Sequence, residues 1–303
     1  MHKQTLIFDV KRYAINDGPG VRITIFLKGC HLTCDWCHNP ESQSEYTQKM
    51  YSENKCIGCG ECVDACPQNA CTLTPQGIVT DPDACLLCGT CAEVCPTKAT
   101  EMSGEEMTVE HIMELIKKET LLMDQSEGGV TFSGGEPLMH HEFLLKLLKE
   151  CGKEGIHRCV DTTGFATTDV LLEVAKNAEY FLYDLKMMDS AKHKKYTGVA
   201  NEGILKNLKA LAATGAEINI RIPLIKGVND DEENIRQSAA FVAALEGDKK
   251  KVNILPYHNI AAKKYEKLGQ VYDPGIMAEP DEEKQQFVAE VFKSHGLEVI
   301  VGG

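Results

Sequence analysis

Three cysteines stand close together at Cys30, Cys34 and Cys37, spaced C-x3-C-x2-C in the stretch Lys28-Gly29-Cys30-His31-Leu32-Thr33-Cys34-Asp35-Trp36-Cys37-His38. Three thiolates on one short loop can hold three irons of a [4Fe–4S] cube. A cube has four irons, so one is left without a protein ligand, and something other than protein binds at an open metal position. The triplet alone also suits a zinc or a redox site. Further on, Cys56-x2-Cys59-x2-Cys62-x3-Cys66-Pro67 is followed by Cys85-x2-Cys88-x2-Cys91-x3-Cys95-Pro96, an internal repeat with identical spacing. In two-cluster ferredoxins the fourth cysteine of such a run ligates the other cluster. One cluster then takes Cys56, Cys59, Cys62 and Cys95, and the other takes Cys66, Cys85, Cys88 and Cys91. A structural zinc site is the alternative, but eight cysteines without histidine, in three short gaps and then proline, is not zinc spacing. Cys151 and Cys159 read as ordinary buried thiols, and Cys71 has no assigned role.

Composition narrows the setting. Of the 14 cysteines in the 303-residue chain, 12 lie between Cys30 and Cys95. Met-His-Lys-Gln-Thr leads straight into a strand-like run without the apolar core of an export signal. Clustered C-x2-C spacing in a reducing compartment points to metal rather than disulfides, and the protein is expected in the cytoplasm. A formal charge of −13 argues against a nucleic-acid partner. No apolar stretch approaches the roughly 20 residues of a membrane span. A monomer is expected.

The elements that must position these thiols alternate. Leu6 to Val10 reads as a strand, Asp17-Gly18-Pro19-Gly20 as a tight turn, and Ile23 to Lys28 as the strand that delivers the triplet loop. Residues 50–103 form a turn-rich insertion of roughly 50 residues whose metal must supply much of its folding energy. Helices are expected over 108–123, 142–154, 169–176, 202–214, 231–245 and 281–295. Strands are expected over 129–133, 158–162, 180–185, 217–223, 251–256 and 298–301. Alternating β and α elements imply a parallel sheet with right-handed crossovers, and about six such units suggest a partial (β/α)6 TIM-type barrel. The chain thus divides into an α/β unit of residues 1–49 and 104–303 and a ferredoxin-like iron–sulfur insertion of residues 50–103. Cys30, Glu136, Asp161, Asp184, Arg221 and His258 all fall at strand C-terminal ends, where parallel α/β folds build active sites.

The triplet, with Trp36 before its last cysteine, resembles the radical S-adenosylmethionine signature. The resemblance implies that the open iron binds the amino and carboxylate groups of S-adenosylmethionine. An electron from the cube then cleaves it to methionine and a 5′-deoxyadenosyl radical. Gly134-Gly135-Glu136-Pro137 is similar to the family's motif for the methionyl amino group. The likeness narrows to the activating enzymes of glycyl radical enzymes and covers nearly the whole chain. It is carried by Asp17-Gly18-Pro19-Gly20-x-Arg22, Asp161-Thr162-x-Gly164, Asp184-Leu185-Lys186, Tyr196-Thr197-Gly198-Val199, Arg221-Ile222-Pro223 and Leu255-Pro256-Tyr257-His258. It implies that Lys186, Arg221 and His258 contact S-adenosylmethionine. By similarity to the pyruvate formate-lyase activase, Asp161, Asp184, the Thr162 hydroxyl and a carbonyl near Leu182 could hold a monovalent cation, sodium or potassium.

One departure matters. That activase lacks a ferredoxin-like insertion, whereas activases of glycerol dehydratase, choline lyase and 4-hydroxyphenylacetate decarboxylase carry one. The insertion argues against a pyruvate formate-lyase partner. The resemblance thus implies three [4Fe–4S] clusters, a glycyl radical enzyme as protein substrate, and flavodoxin or ferredoxin as electron donor. Three rivals are separable. A radical enzyme acting on a small molecule would need no protein partner. A plain electron carrier would not cleave S-adenosylmethionine, and a zinc module would contain no iron.

Overall fold

A computed structural model describes residues 5–247 and 250–302. The first four residues, over which no export signal is read, lie outside that description. The strands are β1 (Leu6–Ala14), β2 (Arg22–Leu27), β3 (Gln48–Tyr51), β4 (Cys71–Thr74), β5 (Gly77–Thr80), β6 (Thr100–Ser103), β7 (Glu105–Glu106), β8 (Gly129–Gly134), β9 (Arg158–Thr162), β10 (Tyr180–Asp184), β11 (Glu217–Leu224), β12 (Lys250–Pro256) and β13 (Glu298–Val301). Nine of them form one sheet in the order β13-β12-β11-β10-β9-β8-β2-β1-β7. From β2 to β13 every pairing is parallel. At the other edge β1 runs antiparallel to both β2 and β7, so the sheet is mixed.

Burial explains why these runs are strands. In β8 every residue but the last is buried, as expected where a parallel sheet is covered on both faces. In β11, Ile218, Ile220, Ile222 and Leu224 are buried and alternate with partly exposed residues. Helix His141–Lys153 lays Leu144, Leu145, Leu147, Leu148 and Cys151 into the same core. Parallel order sends the C-terminal ends of β2, β8, β9, β10, β11 and β12 to one edge of the sheet. Cys30, Gly134, Asp161, Asp184, Arg221 and His258 are borne there.

Two expectations are corrected. The single helix over 108–123 is two, Val109–Lys117 and Thr120–Ser126, because Glu119 leaves helical geometry and the Thr120 hydroxyl donates to the Lys117 carbonyl, competing with the ladder. A helix at Ser190–Thr197 was not foreseen. Its lysine-rich face shows no apolar periodicity, although the Asp189 cap and left-handed Gly198 that bound it are ordinary helix signals.

The cysteine-rich segment has its own small order. β3 pairs antiparallel with β6, and β4 with β5. The offset that takes Cys56 to Cys85 also takes β3 onto β5 and β4 onto β6, so the internal repeat includes the strands. Its apolar centre is little more than Cys62, Cys71 and Ile78. Among the described residues no helix is long and apolar enough to cross a membrane.

Candidate functional site

The triplet loop leaves β2 through Gly29, whose φ of +103° suits glycine. It is clamped from both sides by backbone. Gly29 N–H donates to the Ser42 carbonyl at 2.7 Å and Cys30 N–H to that of Gln43 at 3.2 Å. Opposite, Thr33 and Asp35 N–H donate to the Thr197 and Tyr196 carbonyls at 2.9 and 3.0 Å. The Tyr196-Thr197-Gly198 motif therefore serves the loop through its main chain. Burial pushes the Cys30, Cys34 and Cys37 thiols up, Cys34 to about 12. At Cys34 the nearby Lys186 charge opposes burial. Iron ligation requires the thiolates, so a neighbouring cation suits this donor set.

Gly134 and Gly135 bring β8 against the same loop. Gly135 N–H donates to the Leu27 carbonyl and Glu136 N–H to that of Gly29, each at 2.8 Å. A Cβ on Gly135 would lie 2.1 Å from the Gly29 carbonyl oxygen. Glu136 is fully buried. Its carboxylate accepts from the Thr162 hydroxyl at 2.5 Å, Thr163 N–H at 2.8 Å, Leu138 N–H at 3.1 Å and the Thr163 hydroxyl.

A solvent-open cleft of about 1760 Å³ collects Cys30, Cys34, Trp36, Cys37, Gly134, Gly135, Asp161, Thr162, Asp184, Lys186, Arg221 and His258. Every residue read from the sequence as belonging to this site lines it except Glu136, which stands behind the glycines. Trp36 packs with Met187, Ile225, Val228, Tyr257 and Met277. His258 sits at the rim, 62% exposed, with Glu279 3.4 Å away.

Four charges face one another in the wall. Lys186 Nζ lies 2.7 Å from Asp184, and Arg221 lies 3.1 Å from Asp161 and 3.6 Å from Asp184. Burial pushes Asp184 up, but Lys186 and Arg221 outweigh it and hold its carboxyl below the usual range. Asp161, which shares Arg221 and accepts from Ser133 at 2.7 Å, is pushed up by burial. Lys186 is raised, because Asp184 overcomes its burial. Asp161 Oδ2 thus accepts from Arg221 and Ser133 and Asp184 Oδ2 from Lys186, and the Thr162 hydroxyl is turned to Glu136. Among the described residues no three His, Cys, Asp or Glu side chains are arranged about a single ion. Two buried atoms of lining residues make no hydrogen bond, Arg221 Nε and Asn253 Oδ1.

Several supporting residues escape sequence reasoning. Asn229 donates to the Lys186 and Pro223 carbonyls at 2.7 and 2.6 Å and accepts from Ile225 N–H at 2.8 Å, holding two strand ends together. Lys28 is fully buried, and burial lowers its pKa to about 8. It donates to Gln48 Oε1 at 2.9 Å and to the Glu41 carbonyl. Lys186 lies 43 residues from Asn229, and Glu41 and Gln48 lie 13 and 20 from Lys28, so no local pattern marks those bonds. Thr163, beside the Asp161-Thr162 pair, is the one that a polar run could have suggested.

The eight remaining paired cysteines divide between two small cavities. One, of about 320 Å³, is lined by Cys56, Cys59, Cys62 and Cys95. The other, of about 360 Å³, is lined by Cys66, Cys85, Cys88 and Cys91. The fourth cysteine of each run crosses to the other set. Ala70 and Ala99 N–H donate to Cys66 and Cys95 Sγ at 3.2 Å in matching positions. An all-thiol donor set of four about each cavity fits a [4Fe–4S] cube. Cys151 and Cys159 are buried in the large unit, and burial pushes both to about 12.

Comparison with known proteins agrees with this geometry. Residues 82–239 match the radical SAM superfamily, residues 55–99 a 4Fe-4S dicluster domain, and residues 16–74 a 4Fe-4S single cluster domain. The triplet falls in the last of these. The trans-4-hydroxy-L-proline dehydratase activating enzyme of Clostridioides difficile is 42% identical over 301 residues, 98% of this chain and 99% of that one. The choline trimethylamine-lyase activating enzyme of Oleidesulfovibrio alaskensis is 39% identical over 90% of this chain and 89% of its own. A crystallised domain of a pyruvate-formate lyase-activating enzyme from Bacteroides vulgatus is 45% identical, with a TM-score of 0.51 over 58% of this chain and 99% of the domain. Identity at this level along almost the full length, with the thiols gathered as the signatures require, makes this chain a member of the radical S-adenosylmethionine superfamily, among the activating enzymes of glycyl radical enzymes.

Proposed function

We propose that the protein activates a glycyl radical dehydratase or lyase, and that the reaction is run in the cleft between the triplet loop and the strand ends. The observation that carries this is the single cleft shared by the three cysteines, the two glycines and the Asp161/Asp184/Lys186/Arg221 set. Held there by Cys30, Cys34 and Cys37, a reduced cluster with one open iron would supply the electron that cleaves S-adenosylmethionine to methionine and a 5′-deoxyadenosyl radical, able to take a hydrogen atom from a glycine Cα of the partner. That C–H bond is weakened by the amide nitrogen on one side and the carbonyl on the other, so the transfer is downhill and no general base is required.

The chain's own part is to bind, orient and exclude. Cys30, Cys34 and Cys37 would hold the cluster, with Lys186 offsetting its negative charge. Gly134 and Gly135 present bare backbone, so a ligand ammonium can approach carbonyl oxygens closely. Glu136 fixes that backbone from behind by tying β8 to Thr162 and Thr163. Arg221 and Lys186 can meet the ligand carboxylate; Arg221 Nε, ion-paired with Asp184 at 3.6 Å but without a hydrogen bond, and Asn253 Oδ1 are one more donor and one acceptor at the wall. Asp161 and Asp184 place negative charge near a sulfonium. His258 is at the rim, where it can close on a bound ligand. A sodium or potassium ion would be held by Asp161 and Asp184, whose hydrogen bonds to Ser133, Arg221 and Lys186 all fall on their Oδ2 atoms, with the Thr162 oxygen, and no step depends on it.

The reading extends to the rest of the molecule. Residues 1–49 and 104–303 act as a partial (β/α)6 barrel, with residues 50–103 as a ferredoxin-like insertion. That brings the total to three clusters, served by flavodoxin or ferredoxin in the cytoplasm. If a Cys56→Ala/Cys85→Ala variant with intact folding accepts electrons from reduced flavodoxin as quickly as wild type, the relay role is wrong. The 42% relative directs the first choice of partner. Anaerobic incubation of the holoenzyme with a trans-4-hydroxyproline dehydratase, S-adenosylmethionine and reduced flavodoxin is expected to give a glycyl doublet by electron paramagnetic resonance. Silence with that dehydratase, but a doublet with a choline lyase, would reassign the partner. Silence with every such enzyme, together with steady turnover of a metabolite, would overturn the function.

A further inference from the structure

The two cavities of the insertion are copies in sequence and unlike in charge. Cys71 and Lys49 line only the second, the one with Cys66, Cys85, Cys88 and Cys91. Under the repeat, Lys49 corresponds to Ile78 and Cys71 to Thr100, and both of those line the first cavity. The first also carries Glu61 on its wall, where the second has no carboxylate. Lys49 is half-buried and held: its Nζ donates to Thr80 Oγ1 at 2.6 Å and to the buried Cys71 Sγ at 3.4 Å. The cysteine left without a cluster thus acts as an anchor for the lysine.

We infer that Lys49 and its anchor Cys71 separate the reduction potentials of the two inserted clusters, so that an electron rests on the cluster held by Cys66, Cys85, Cys88 and Cys91. This rests on the reading of the eight cysteines as two [4Fe–4S] sites. Reduction by one electron, from a flavodoxin- or ferredoxin-type donor, adds one negative charge to a cluster, and cluster potential follows net local charge, hydrogen bonds to sulfur and exposure. A fixed ammonium on the cavity wall favours the reduced form there, and the Glu61 carboxylate disfavours it in the first. Lys49 lines the second cavity and not the first, so its charge raises the potential of the second cluster more than that of the first. Lys49 is therefore a tuning residue that touches no substrate, and it makes a near-symmetric repeat directional.

The test is a redox titration of anaerobically reconstituted holoenzyme, followed by electron paramagnetic resonance. The component perturbed by adding S-adenosylmethionine is assigned to the triplet and set aside. In Lys49→Met the higher of the two remaining midpoints is expected to fall relative to the lower by about tenfold in the reduction equilibrium, about 59 mV for a one-electron couple. Lys49→Arg is expected to keep the separation, and Glu61→Gln, on the exposed side, to raise the lower midpoint. Fully loaded Lys49→Met with both midpoints unmoved, with an equal fall of both, or with the larger fall in the lower one, overturns the inference. Wild-type protein that binds iron and sulfide for the triplet cluster alone overturns instead the two-cluster reading beneath it.

Discussion

The pair Asp184–Lys186 allows a magnitude to be worked from geometry. The charges lie 2.7 Å apart, and their side chains are 19% and 8% exposed. At an effective dielectric of about 20 the gross attraction is roughly 6 kcal/mol, most of which desolvation opposes. Removing one partner leaves a buried charge uncompensated, which costs about 3–5 kcal/mol. Asp184→Asn strands Lys186, and for a chain of 303 residues that is roughly 5–8 °C of melting temperature. Lys186→Met is expected to cost less, because Asp184 keeps Arg221 at 3.6 Å. The double variant should fall short of the sum of the singles by about 3 kcal/mol, within the range of coupled neighbours. The assay is anaerobic thermal unfolding at matched cluster content. The exposed Arg236–Glu232 pair, 56% and 62% exposed, serves as a control and should be worth no more than about 0.5 kcal/mol. The pH dependence has two limbs. The depressed Asp184 contributes fully above its unfolded value of about 3.9 and loses that contribution as pH falls through the lower folded value. The raised Lys186 contributes fully below about 10.4 and loses it as pH rises through the higher folded value. Between those limits the Asp184→Asn penalty should be flat. Additive single variants, or a penalty no larger than that of the control pair, would refute the reasoning.

Gly135→Ala places a Cβ 2.1 Å from the Gly29 carbonyl oxygen. It should weaken S-adenosylmethionine binding by about tenfold or more, for strain of roughly 1–3 kcal/mol, as read by equilibrium binding to the reduced holoenzyme. Gly164 has a φ of +73°, and its Cβ would fall 1.7 Å from the Tyr183 hydroxyl. Gly164→Ala should therefore destabilise by more than about 4 kcal/mol and appear as insoluble protein. Glu136→Gln turns an amide toward donors already aimed at a carboxylate, at a cost of about 2–4 kcal/mol, measurable as a lower melting temperature. Removal of the clusters with chelator should expose residues 50–103 to limited proteolysis while residues 129–243 stay protected, since the small segment has little apolar core of its own.

The thiols were legible because ligand spacing is local: three or four cysteines within one loop carry their chemistry in their own order. The cross-over of Cys66 and Cys95 between the two sets was legible for the same reason, through the repeat. Strand ends were legible because turn residues follow apolar runs, which put Asp161, Asp184 and Arg221 at the sheet's C-terminal edge. What stayed hidden depends on contacts between distant segments. Asn229 ties Lys186 to Pro223, and Lys28 reaches Gln48 and Glu41, through partners that periodicity does not connect. Helix Ser190–Thr197 was hidden for a different reason: its exposed lysines give it no apolar face. Glu136 was legible as a site motif, but its direction was not. The carboxylate is turned away from the cleft by Thr162 and Thr163, and only the preceding glycines reach the wall.

That inversion bears on how the site is held. The triplet loop takes no side-chain hydrogen bond from Glu136, Tyr196 or Thr197; it is bound by main-chain groups of Ser42, Gln43, Tyr196 and Thr197, and its Gly29 carbonyl accepts from Glu136 N–H. The backbone clamp fixes the start and middle of the loop, and two side chains complete it: the Tyr265 hydroxyl donates to the Cys37 carbonyl at 3.3 Å and His140 Nε2 meets the Lys28 carbonyl at 2.5 Å. Strand β3 extends the same logic to the insertion. Gln48 accepts from Lys28 directly before the triplet, and its neighbour Lys49 stands on the wall of the second cysteine cavity. Successive residues of a strand face opposite sides, so this one short strand touches the support of the triplet loop with one side chain and the second cysteine cavity with the next. Both ends of the cysteine-rich segment thus meet in one antiparallel ladder, β3 on β6, and Gln48 of that ladder bonds the lysine at the foot of the triplet loop.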